Sequence, residues 1–284
     1  MRGVVALRQG VRARNAVDGA ARRGYLTDLT SREGVSVDLP RSFVIRERDH
    51  RIHNPFTAAK LATLGRALRL RPGTTLLDLA CGSGEMLCQW SHAHGVTGTG
   101  VDISTVFVDA ARARAVELGV AGRVAFVHGD AATYTAEVEV DVAACVGATW
   151  IGGGVAGTIG LLERALRPGG LLLIGEPFWR VDPPDEATVT ACHATAREDF
   201  HDLPGLVALF GRLGFDLVEM VLADEDSWDR YVAAQWLSVR RWLDAHPDDE
   251  LAGELRAELD TAPLRYVRYQ RPHLGWGVFA LMRR

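Results

Sequence analysis

The sequence predicts an α/β fold, a doubly wound and mostly parallel sheet with crossover helices, and three observations carry that expectation. Short apolar runs alternate with helix-period segments from residue 74 to residue 175. The first strand runs straight into a glycine loop, "LLDLACGSGE" at 76–85, which opens a helix. Two final strands, 215–222 and the terminal "GWGVFALMRR", are separated by a long insertion, the pattern of an antiparallel closing pair.

The elements follow in order from Pro55. "NPFTAAKLATLGRAL" places Phe56, Leu61, Leu64 and Leu68 at helical spacing, and "RPG" then breaks the chain. Strands are expected at 74–79, 97–101, 123–127, 139–146 and 170–175, with helices at 84–93, 104–118 and 155–166 between them. "RPGG" at 167–170 ends one helix and feeds a central strand. After Pro177 a loop and helix region at 178–203 leads to a helix at 204–213, and a mainly helical insertion fills 224–270. Both insertions are expected to form a cap, and "DAHPDDELAGEL" within the second reads as a solvated helix start.

With 284 residues the chain is long enough for a full core, and we expect one domain over 37–284. No apolar run approaches the roughly 20 residues of a membrane helix. A net charge of -4 does not fit a nucleic-acid binder, so a small-molecule partner is favoured. Cys81, Cys88, Cys145 and Cys192 form no CxxC pair and follow no secretory signal, which points to reduced thiols and a cytoplasmic location. Cys88, His92 and His94 cluster on one helix, but a buried thiol beside surface imidazoles accounts for them without a metal.

Residues 1–36 carry seven Arg and three acids without a sustained period, so they are expected to be disordered or untranslated. A single lysine, Lys60, in an Arg- and Ala-rich chain indicates a G+C-rich bacterial genome. Arg32-Glu33-Gly34 is encodable by a purine-rich ribosome-binding stretch, and Val37 by a GTG start codon, hence our hypothesis that translation starts at Val37. An intact mass from the native locus that includes residues 1–36 would contradict it.

In an open α/β sheet the loop after the first strand is the usual ligand cradle. Gly82 and Gly84 let backbone amides approach a ligand closely. The loop fails the dinucleotide pattern GxGxxG/A in both frames, with Leu87 or Glu85 at the sixth position. Glu85 at the helix N-terminus also opposes a diphosphate electrostatically. These features favour a cofactor without phosphate.

At this point the chain resembles the class I S-adenosylmethionine-dependent methyltransferases, whose sheet is seven-stranded and Rossmann-like. "LDLACGSGE" looks like their first motif, with Ala80 where many members carry a glycine; "GTGVDIS", "FVHGDA", "VDVAACVGATW" and "ALRPGGLLLIGEP" follow in the family's order and spacing. The resemblance implies that Asp78, Ala80, Gly82 and Gly84 hold the methionine portion, and that Asp102 with Ile103 holds the ribose. It further implies that Asp130 and the Ala131 amide hold the adenine, with Val146 beside them. "HRIHNPFTAAKLATLGR", "CVGATWIGGGVAG", "IGEPFWR" and "EMVLADEDSWDRY" narrow the likeness to the YjhP-type group of bacterial methyltransferases, from about Val37 onward.

The expected reaction is methyl transfer to a small-molecule acceptor, an in-line displacement in which orientation and water exclusion matter most. Its rivals are a non-catalytic S-adenosylmethionine-binding module and a nicotinamide oxidoreductase. Glu176, after the fifth strand, either orients an acceptor and takes its proton or caps a loop amide. His193 and His201 are candidate bases or plain surface residues, with His193 taken as the catalytic candidate. Asn54 reads as a helix cap before Pro55, and His53 as a lid residue. Trp150 is expected as an acceptor wall. Phe178, Trp179, Trp228 and Tyr231 either line the acceptor pocket or, with Trp236 and Trp242, form the core of a cap.

Overall fold

The computed structural model describes residues 38–284, so the expectations for residues 1–36 and for a start at Val37 lie outside the described residues. Strands β1 (Thr75–Leu79), β2 (Thr97–Asp102), β3 (Val124–His128), β4 (Val140–Val146), β5 (Leu166–Trp179), β6 (Phe215–Leu222) and β7 (Leu274–Arg283) form one sheet of order β3-β2-β1-β4-β5-β7-β6. The first five run parallel, while β7 lies antiparallel between β5 and β6. Strand order therefore reverses between β1 and β4, and a crevice opens at their carboxyl ends.

Residues "TLLDL", "VDVAACV" and "GLLLIG" are apolar on alternate and adjacent positions alike because both faces of the central strands are covered. On one face α2 (Ala58–Ala67), α3 (Glu85–His94) and α4 (Thr105–Glu117) bury Leu64, Leu87, Trp90, Val108 and Ala111 against Leu76, Ala144 and Leu173. On the other face α5 (Val155–Glu163) and α7 (Leu203–Arg212) bury Ile159, Leu162, Leu206 and Phe210 against Leu77, Leu172 and Phe279. Each such large apolar side chain taken out of water contributes roughly 1.5–3 kcal/mol. Two of the helix starts show side-chain capping clearly: Ser104 accepts from the Phe107 amide, and Asp202 from the Gly205 amide at 2.8 Å.

The remaining helices build a second layer beyond the strand tips. A short helix α1 (Arg41–Glu47) packs against the long α8 (Glu225–Ala245), and α9 (Ala252–Arg265) closes the group through Ile45, Val239, Trp242, Leu243 and Leu255. A π-helical turn, Tyr266–Gln270, and α10 (Arg271–His273) lead into β7.

Three expectations require correction here. Asn54 does not cap α2; Thr57 does, its hydroxyl accepting from the Lys60 amide at 3.2 Å. Strand β5 does not stop at residue 175 but continues to Trp179 along β7, with Pro177 opposite Trp276. Beyond Gly175 the strand has lost β4 as a neighbour, so the N–H that proline lacks is not needed on that side. Segment 178–203, with α6 (Glu186–Ala191), does not form part of a cap over the crevice. It packs Val189, Cys192 and Ala194 on Trp179 and Leu274 at the β5–β7 end.

Candidate functional site

The crevice holds a cavity of about 330 Å³ with a floor of strand tips and a roof of added helices. Asp78, Ala80, Cys81, Gly82 and Ser83 come from β1 and its loop, Asp102 and Ile103 from β2, Asp130 and Ala131 from the loop after β3, and Val146 to Ala148 from β4. The roof supplies Leu39, Pro40, Phe43, Ile52, His53 and Tyr231.

Gly84 has φ +68°, and a Cβ there would lie 2.5 Å from the Phe126 ring. It shapes the loop from beneath rather than lining the cavity, which corrects its assignment as a direct ligand contact. Gly82, at φ +54°, faces the cavity, and its amide donates to Asp102 Oδ2 at 2.7 Å. The other Asp102 oxygen accepts from the Ser104 amide at 2.9 Å. Both oxygens keep a second lone pair for a ligand.

Asp78 and Asp102 are 3% and 5% exposed, and among the described residues neither is ion-paired with a Lys or Arg. Burial, with Asp102 nearby, pushes the Asp78 carboxyl up to about 8. Burial likewise raises Asp102, opposed by the amides of Ser104 and Gly82. A cavity floored by two such acids is complementary to a ligand with a positive charge and hydroxyl donors.

Glu85 shows why an electrostatic argument from sequence alone was incomplete. Its carboxylate takes both arms of Arg114, at 2.8 and 2.9 Å, and Gln89 Nε2 at 2.8 Å. The negative charge is thus neutralised within the protein, and the failed glycine pattern carries the argument against a diphosphate.

The roof is locked by a buried carboxylate. Glu47, 1% exposed, accepts from Tyr231 Oη at 2.9 Å and Gln235 Nε2 at 2.6 Å, and its second oxygen lies 3.0 Å from His50 Nδ1. Burial works to raise Glu47, yet His50, His53 and Tyr231 outweigh it and hold the group below its ordinary value. Tyr231, raised by burial and by Glu47, stays protonated. Phe43 meets Phe107 edge-on at 6.2 Å. Arg46 and Arg51 also reach the lining, paired with Glu258 at 2.6 Å and Glu117 at 3.1 Å.

Of the candidate acceptor-side residues, His53, Trp150 and Tyr231 line the cavity; the others do not. Trp150 is half exposed at its mouth. Glu176 alternates with Ile174 and Phe178 onto the sheet face under α5 and α7, and its carboxylate accepts from Thr149 Oγ1 at 2.6 Å. The Phe178 ring lies across Gly275 of β7, which leaves no room there for a side chain. Trp179 is buried with its Nε1 donating to the Arg197 carbonyl at 2.7 Å. Trp228 sits between the α2-side core and the Trp179 cluster. His193 is exposed in the turn after α6, at φ 60°. Glu176 and His193 as catalytic groups, and Phe178, Trp179 and Trp228 as pocket walls, are therefore corrected to positions outside the cavity.

Missed at first were Leu39, Pro40, Phe43, Arg46, Arg51 and Ile52, all from the segment before residue 55. Helix α1 has only seven residues, too few to show a period, although Pro40 before an apolar "SFVI" was an available signal.

Comparison with known proteins agrees with this geometry. A methyltransferase-domain family model matches residues 76–170. YjhP of Escherichia coli K12 is 60% identical over 248 residues, covering 87% of this chain and 100% of that protein. The X-ray structure of YjhP superposes with a TM-score of 0.85 over 86% of this chain and 100% of that one. An S-adenosylmethionine-dependent methyltransferase from Geobacter sulfurreducens, crystallised with S-adenosylhomocysteine, is 63% identical, with a TM-score of 0.86 over 87% of this chain and 99% of that one.

Proposed function

Because the chain belongs to the YjhP family of S-adenosylmethionine-dependent methyltransferases, we propose that its crevice seats S-adenosylmethionine and that the methyl group passes to a small molecule held under the roof. The observation that carries the reading is the pair of buried acids, Asp78 and Asp102, flanking the Gly82 loop with no Lys or Arg partner among the described residues. A ligand bearing an ammonium, a sulfonium and two ribose hydroxyls supplies what these groups lack. Bound there, the cofactor provides an electrophilic methyl on a positively charged sulfur.

In this reading Asp102 orients the nucleoside through its ribose, Asp130 and the Ala131 amide receive the adenine, and Asp78 receives the ammonium with the Ala80 to Gly82 backbone. Val146, Gly147 and Ala148 flank the reacting centre at the β4 tip. Trp150, Ile151 and Tyr231 then form the acceptor side. Orientation and exclusion of water by Phe43, Ile52 and His53 supply the rate enhancement.

A small acceptor is favoured because the cavity is roofed by α1 and α8 and its volume is at the lower end of small-molecule sites. Four free cysteines, three of them buried, fit a reducing compartment, and we infer a cytoplasmic location. Incubation of the protein with methyl-labelled S-adenosylmethionine and a deproteinised, nucleic-acid-free cell extract tests the acceptor class. Label in the low-molecular-mass fraction is the expected result. Label that appears only when protein or nucleic acid is restored would overturn it.

A further inference from the structure

His53 occupies an unusual place for a titratable side chain. It comes from the segment joining α1 to α2 yet lies directly on the glycine loop: a Cβ at Gly82 would stand 2.7 Å from its Nδ1. Its Nε2 is 3.1 Å from Ser83 Oγ, its ring meets Phe107 at 4.1 Å with the planes tilted by 48°, and it also hydrogen-bonds the His50 backbone. The backbone contact favours the ring's proton, so the ring N–H donates there and Nε2 is left to accept from the Ser83 hydroxyl.

We propose that His53 is a specificity-determining residue that reads the charge on the reacting sulfur, admitting the sulfonium donor when its ring is neutral and rejecting it, but not the uncharged thioether product, when the ring is protonated. The inference rests on the cofactor assignment of the crevice. In that assignment Asp102 holds the ribose and the Ala80 to Gly82 loop the methionine portion, which places the sulfur between them. The imidazole covers that same stretch.

The groups around it set the direction. Burial lowers the affinity of His53 for its proton below that of a free imidazole, against the opposing pull of Glu47 and Asp102, and so favours the neutral ring. From the lid, Glu47 and His50 face it; from the floor come Ser83 and Asp102, with Asp78 beyond and Asp38 beside Asp102. A sulfonium and an imidazolium confined together repel, and the low-dielectric roof weakens screening. S-adenosylhomocysteine has the same ammonium, carboxylate and hydroxyls but no charge on sulfur. The ratio of the two affinities thus cancels effects of pH on their shared groups.

Calorimetric titration of the whole protein with S-adenosylmethionine and S-adenosylhomocysteine between about pH 5 and 8 is the test. The dissociation-constant ratio, donor over product, should rise about tenfold as pH falls through the His53 titration. In His53→Gln, which keeps an acceptor for Ser83, the ratio should be flat; His53→Asn with a wild-type circular dichroism spectrum serves as a second variant. A flat ratio in the wild type overturns the inference, as does a slope that persists in both variants, which would assign it to Asp78, Asp102 or His50. Failure of the cofactor assignment is separately visible: Asp102→Ala would then leave the affinity for S-adenosylhomocysteine unchanged.

Discussion

The floor and the roof of the cavity meet the same ligand space but are built on different physical terms. On the floor each group is placed by a local rule. A strand ends, a glycine with φ +54° turns the chain, and the Asp102 carboxylate accepts from amides on either side. In the roof the decisive contact joins Glu47 to Tyr231 across 184 residues of sequence, and the other contacts, Gln235 on Glu47 and Ser238 on Asp49, are equally remote in sequence. The floor is thus carried by short motifs, whereas the roof depends on which remote side chains the tertiary fold brings together.

Several substitutions can break or sharpen that contrast. The largest effect is expected in the roof. Glu47→Ala strands Tyr231 and Gln235 without their shared acceptor, and should cost about 3 kcal/mol of unfolding free energy in urea. On the floor, Asp102→Ala should leave the fold intact and weaken S-adenosylhomocysteine about thirtyfold by calorimetry, the loss of hydrogen bonds to a charged acceptor.

A smaller effect tests the buried acid. Asp78 ionises near its ordinary 3.8 when the chain is unfolded but near about 8 in the ligand-free fold. Between those values the folded state holds a proton that the unfolded state has lost, so the ligand-free protein loses stability as pH rises toward about 8. Asp78→Asn should flatten that decline in Tm against pH, and also reduce stabilisation by S-adenosylhomocysteine. The smallest effects belong to residues outside the cavity. Glu176→Gln, which still accepts from Thr149, and His193→Ala should each leave cofactor affinity within about twofold, inside the range of surface or conservative changes.

The same contrast explains how much was legible in the sequence. The sheet and its crossover helices follow from strand-loop-helix patterns, whereas Asp78, Ala80, Gly82, Asp102, Ile103, Asp130, Ala131 and Val146 were expected from the resemblance to the methyltransferase motifs, and all of them line the cavity. Glu176, Phe178 and Trp179 were misplaced because proximity to a strand end does not reveal which face a side chain takes. Strand β5 runs past its expected end, so these residues alternate across a ladder instead of facing the crevice. Helix α1 was invisible for the opposite reason. Its seven residues are held by α8 and α9 rather than by any period of their own.

A crystal structure with S-adenosylhomocysteine tests the central claim most directly. The account predicts density along the β1 and β2 tips, with ribose hydroxyls on Asp102, the amino group toward Asp78 and His53 closed over the loop. Density seated instead against Glu176, Trp179 and His193, or leaving both buried acids untouched, would contradict it.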